Sequence, residues 1–158
     1  MKLNCNRQTL TAAFAAVGGI IPTRTPKPIL QNAKLEVKSG VATLIGSDQE
    51  IAIQYTVDDV ESSGNCEVLL PAKRVSDILR ELRDERVTLD VTDSSVTIKT
   101  DRSNFKLPTT DPAEYPAVAG FTDAAYYTIP GAALRTMIRQ TVFATDPDSA
   151  RYALGGVL

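Results

Sequence analysis

Residues 65–82 read NCEVLLPAKRVSDILREL, and the change of period inside this stretch decides the fold. Residues 65–70 make a short strand pattern, and Pro71 stands where a helix can begin without needing the missing N–H. Beyond it Val75, Ile78, Leu79 and Leu82 recur as the one-sided stripe of an amphipathic helix. The same strand-to-helix unit occurs twice more. Residues 2–5 lead through Asn6, an N-cap residue type, into Leu10, Ala13, Phe14 and Val17; residues 126–129 lead through Pro130 into Leu134, Met137, Ile138 and Thr141.

An offset of 124 residues carries Leu10 onto Leu134 and Leu30 onto Leu154, which implies a repeat whose first copy is complete and whose second is cut short. The unit at Val75 falls halfway, so each copy is itself two similar halves. Between the helices, residues 34–37, 41–46, 51–57, 87–91, 96–99 and 104–107 largely alternate apolar with polar side chains, as half-buried strands do. Ser39-Gly40, residues 62–64 and residues 93–95 punctuate them as turns. Each half therefore reads β-α-β-β-β, an α+β fold with helices packed on one face of antiparallel sheets. Residues 109–123, with Pro112, Pro116 and Gly120, read as a boundary or linker between copies. The expected domains are 1–122, complete, and 123–158, the start of a second copy, with a last strand at 154–158 left without partners.

Residues 18–32, GGIIPTRTPKPILQN, cannot be helical because Pro22, Pro26 and Pro28 interrupt them. Prolines at this density bias the backbone towards extended geometry, so Arg24 and Lys27 sit on a stiff arm.

Composition marks a soluble globular chain: 43% of the 158 residues are hydrophobic and 23% charged. No apolar run reaches the ~20 residues of a membrane helix. The start of the chain does not read as a signal peptide, because Leu10, Ala13, Phe14 and Val17 form a one-sided stripe. Cys5 and Cys66 fall in strand patterns and suit small core positions better than a disulfide; the cytoplasm is the expected compartment.

The chain lacks histidine, the usual general base and commonest zinc ligand. Two isolated cysteines cannot complete a metal site, and Gly18-Gly19 lacks the spacing of a phosphate loop. The acidic pairs Asp58/Asp59, Asp84/Glu85 and Asp146/Asp148 lie in turn-like stretches, where carboxylates close turns. These observations name no catalytic residue, metal or cofactor. Charge is more informative. Against a net charge of −2, helices over 6–17, 71–83 and 131–142 carry +1, +2 and +2, which leaves −7 elsewhere. At 100° per residue Lys73 and Arg80 point away from the apolar stripe, and Arg139 takes the place of Arg80 in the third helix. Such a layer would attract a polyanion on one side. A small α+β enzyme with a carboxylate-only site and a protein-binding module without DNA contact stay open on these grounds.

Motifs across the whole chain resemble the bacterial sliding clamps, the beta subunit family of DNA polymerase III. They are TRTPKPIL at 23–30, GSDQEI at 46–51, LLPAKRVSDILREL at 69–82, SNFKLPTTDPAEYP at 103–116 and DSARYALGG at 148–156. The resemblance implies a DNA-clamp fold, and with it a homodimeric ring of two three-domain chains closed head to tail around DNA. It implies a processivity factor without chemistry of its own, the nucleotidyltransferase activity residing in another subunit. Arg24 matches the arginine of the family's DNA-contacting loop and Lys73 a basic position on the inner helix. Arg151 and Leu154 match the cleft that receives short peptide motifs of the polymerase subunit and the clamp loader. Phe105 and Leu107, with Ile78 nearby, match the apolar edge of ring closure. Asp148 departs from the uncharged polar residue that relatives often carry there. On this reading the chain is a fragment, monomeric by itself.

Overall fold

The computed structural model describes residues 1–120, 125–146 and 150–157, and the chain divides into two compact units, Met1–Ala119 and Gly120–Leu158. In the first unit β1 (Lys2–Asn6) buries Leu3 and Cys5 and ends at a cap: the Asn6 side chain accepts from the N–H groups of Gln8 and Thr9 at 2.9 and 3.3 Å. That satisfies donors at the open N-terminus of α1 (Arg7–Gly18), whose Leu10, Ala13, Phe14 and Val17 are all buried. The prolines then prevent any continuation of the helix, and the chain crosses a loop and a 3₁₀ turn (Pro28–Gln31) that buries Leu30.

β2 (Asn32–Lys38), β3 (Val41–Ser47), β4 (Ala52–Val57) and β5 (Val60–Ser62) complete the first half. β6 (Cys66–Pro71), α2 (Ala72–Glu81), β7 (Arg86–Val91), β8 (Ser95–Lys99) and β9 (Asn104–Pro108) complete the second. Element order follows the β-α-β-β-β reading, but the halves exchange their first strands. One antiparallel sheet runs β5-β1-β7-β8-β9 and the other β4-β3-β2-β6. Cys5 stands opposite Val87, and Ala33 opposite Leu70. β5 escapes the periodicity because three residues are too few to alternate; its backbone pairs with β1, Glu61 against Asn4.

The exchange ties both halves to one core. Leu10, Phe14, Val75 and Leu79 from the helices meet Leu3, Leu89 and Ile98 from one sheet and Leu35, Leu44 and Leu70 from the other. Gly46 marks where α1 comes nearest β3: a Cβ there would collide with Val17 Cγ1 and stand 3.1 Å from Ile21 Cγ1. Burial pushes the Cys5 thiol up to about 12 despite the opposing Arg86 charge, and both cysteines are free thiols.

The break between the units falls inside the 109–123 stretch, after Ala119, but residues 109–119 are no free linker. Thr109 Oγ1 donates to Leu69 O at 2.7 Å, Asp111 accepts from Ala113 N–H at 2.9 Å, and Tyr115 is buried with Ile45 and Leu69, flanked by Ile29 and Val118. The apolar anchors outweigh the local Pro and acid signals, so this segment straps the second sheet. The expected domain boundary at 122 lies outside the described residues, as do Asp148 and Leu158.

The second unit forms α3 (Gly131–Thr141), then 3₁₀ turns at Val142–Ala144 and Tyr152–Gly155. The strands expected at 126–129 and 154–158 are absent among the described residues, which supply no neighbouring strand for their backbone groups. The stripe of α3 is correspondingly open: Leu134, Met137 and Ile138 are 42, 48 and 44% exposed, where their counterparts in α1 are buried.

A charge ladder crosses the second sheet. Lys34 Nζ lies 2.8 Å from both Glu36 and Glu67, and Lys38 Nζ 3.0 Å from the same two carboxylates. Burial opposes the Lys34 charge most strongly, yet the two carboxylates together raise its pKa, while the Lys34 hydrogen bond holds Glu36 below its ordinary 4.5. A depressed carboxylate stabilises the fold above its unfolded-state pKa and loses that contribution as the pH falls through the folded value. Glu36→Gln should therefore melt below wild type at pH 7, and the two melting temperatures should converge below about pH 4. A gap that persists unchanged in acid would show that the ladder contributes by packing alone.

Candidate functional site

α1 and α2 lie against each other, and the space between the end of α1, the Pro-rich loop and α2 is a groove of about 660 Å³. Gly18, Thr23, Gln31, Lys73, Asp77 and Arg80 are among its walls. Helical spacing puts Lys73 and Arg80 outward as expected, with side chains 84 and 65% exposed. Both share one acid: Lys73 Nζ is 3.0 Å from Asp77, and Arg80 Nη1 is 4.0 Å from it. Such exposed pairs are weak and leave a net positive wall.

The loop's cations differ. Gln31 Nε2 donates to Thr23 O at 2.9 Å, and Lys27 Nζ donates to Gln49 Oε1 at 2.6 Å, so the arm is held on both sides of Arg24. Among the described residues no acid lies within salt-bridge distance of Arg24 or Lys27. Thr23, the residue before Arg24, lines the groove that carries Lys73 and Arg80. A trough with cations along one wall suits an extended polyanion more than a small substrate.

One expected contributor drops out. Arg7, the cation counted for α1, turns inward: Nε donates to Asp84 O at 2.8 Å and Nη1 to Leu79 O at 3.4 Å. It satisfies one carbonyl in the last turn of α2 and one just beyond it, where a cation also meets the negative end of the helix dipole. Gln31 and Gln49, which brace the arm, carry no periodicity or charge by which sequence reasoning would single them out.

Ile78, Phe105 and Leu107 do not line this groove, and Arg139, Arg151 and Leu154 belong to the second unit. Arg139 is exposed in the last turn of α3, in the second unit. There Leu154 N–H donates to Arg151 O at 2.9 Å, Asp146 N–H donates to Leu154 O at 2.9 Å, and Leu154 is half exposed. In the first unit Ile78 is partly buried against the core, and β9 is an edge strand on which Phe105 is 37% exposed but Leu107 only 7%. The open apolar surface of that edge thus belongs to Phe105, and Leu107 fills the unit's own core.

Of the acidic pairs, Asp59 is engaged by Arg86 Nη1 at 3.3 and 3.1 Å. Among the described residues no group of three or more Asp, Glu or Cys could hold a metal ion, and no helix is long and apolar enough to cross a membrane.

Residues 1–119 match the family model described as DNA polymerase III beta subunit, N-terminal domain. The chain is 28% identical over 158 residues to the beta sliding clamp of Haemophilus influenzae, covering 99% of this chain and 43% of that protein. Among solved structures it resembles the DNA polymerase III subunit beta from Pseudomonas aeruginosa, with TM-score 0.88, 27% identity and coverage of 99 and 43%. It shares the fold of the Helicobacter pylori beta clamp bound to DNA ligase peptide, with TM-score 0.85, 22% identity and coverage of 96 and 42%. The chain thus spans less than half the length of these relatives.

Proposed function

The chain belongs to the DNA polymerase III beta subunit family, and on that premise we propose that it forms part of a sliding clamp, a non-catalytic ring that holds a polymerase on duplex DNA. The observation that carries this reading is the pair of cations, Arg24 and Lys27, held without acidic partners on a braced arm whose Thr23 lines the same groove as Lys73 and Arg80. Phosphates are evenly spaced whatever the sequence, so such a surface attracts DNA without reading base edges.

In this reading Arg24, Lys73, Arg80 and Arg139 face phosphates. Residues 1–122 are the first clamp domain and 123–158 begin the second. Phe105, with Leu107 and Ile78 behind it, meets the next subunit of a homodimeric ring, since an edge strand with an exposed aromatic residue offers both backbone groups and apolar area. Arg151 and Leu154 contribute to a cleft for short peptide motifs of the polymerase subunit and clamp loader, as the relative solved with a DNA ligase peptide suggests by analogy. The polymerase's chemistry belongs to another subunit, and the compartment is the cytoplasm.

Fluorescence titration of this chain against duplexes of unrelated sequence at low salt tests the reading. The affinities should agree within about twofold, because phosphate contacts carry no sequence information. A tenfold preference for one duplex would indicate base readout and oppose it.

A further inference from the structure

We propose that Gln49 is a neutral brace that sets the Arg24 arm for phosphate contact, an inference that rests on the DNA-binding reading of that arm. The turn between β3 and β4 is built to present this side chain. Asp48 Oδ1 accepts from the N–H groups of Glu50 and Ile51 at 2.9 and 2.8 Å. Ser47 Oγ accepts from Gln49 N–H at 3.0 Å and donates to Ile51 O at 2.9 Å. These bonds hold Gln49 at φ 86°, the left-handed region that a residue with a Cβ occupies only when its surroundings impose it. From there Gln49 Oε1 takes a hydrogen bond from Lys27 Nζ, 22 residues earlier in the chain.

The chemistry of the brace matters as much as its position. A glutamate would hold the ammonium and cancel its charge. The amide oxygen holds it through one donor, leaves two for phosphate oxygens and keeps the charge intact. With Gln31 fastening Thr23, the arm is fixed on both sides of Arg24 by neutral groups. A cation positioned in advance loses less freedom on meeting DNA than one on a loose loop.

Two substitutions in this chain separate holding from charge. Gln49→Gly removes the brace while suiting a positive φ, so the fold should persist. In that variant the heteronuclear NOE values of the Arg24, Thr25 and Lys27 amides should fall, and duplex affinity should drop about threefold, the scale of one exposed polar contact. Gln49→Glu should keep the amides ordered but make the slope of log affinity against log salt shallower by about one unit. Wild-type order and affinity in Gln49→Gly, or wild-type affinity and slope in Gln49→Glu, overturns the proposal. Arg24→Ala is the control. If it loses affinity while Gln49→Gly does not, the brace alone is refuted. If Arg24→Ala itself binds as wild type, the DNA reading of the arm falls, and the brace's purpose with it.

Discussion

Replacing Phe14 with alanine is expected to cost about 3–5 kcal/mol of folding stability. Phe14 is one of the largest fully buried side chains, on the face of α1 that packs into the core shared by both sheets. Its neighbours belong to strands that the exchange between halves fixes in place, so they have little room to collapse into the space vacated. The loss of apolar burial and the cavity left behind therefore add. Thermal unfolding followed by circular dichroism should show a midpoint roughly 10–20 °C lower. A fall of only a few degrees would mean that the core repacks, and that the two sheets are less rigidly joined than the strand order implies.

The second large effect concerns salt. If Arg24, Lys27, Lys73 and Arg80 each neutralise one phosphate, log affinity should fall with log salt at a slope of about −3.6, the four contacts at roughly 0.9 each. Raising monovalent salt from about 50 to about 200 mM should then weaken duplex binding by roughly 150-fold. Asp77 shares the charge of Lys73 and Arg80 before DNA arrives, so a shallower slope would point to the helix cations as the missing contributors, Arg24 having no acid to release.

Much of this was legible in the sequence because periodicity reports burial directly. The stripes of α1 and α2 follow from the helical period, and six of the nine strands of the first unit's sheets from alternation between the helices; β1 and β6 follow from the strand-to-helix unit. What periodicity does not carry is partnership. The exchange of β1 and β6 between halves leaves each strand's own pattern unchanged, so nothing local announces it. Residues 109–119 misled for the opposite reason: Pro112 and Pro116 signal a connection, while the burial of Tyr115 depends on Ile45 and Leu69, far away in the chain. At the site, helix geometry was enough to turn Lys73 and Arg80 outward. It was not enough for Arg7, whose inward course is set by carbonyls at the end of another helix, or for the contact between Lys27 and Gln49.

A salt titration of fluorescent duplex binding by wild type and Arg24→Ala, paired with thermal melts, decides whether the braced arm meets DNA through charge alone. The variant should bind every duplex more weakly, its slope should be shallower by about one unit as one phosphate contact disappears, and its melting temperature should barely move. Unchanged affinity and slope, or a large drop in melting temperature, would contradict the account and make Arg24 a structural residue of a loop that only connects α1 to β2.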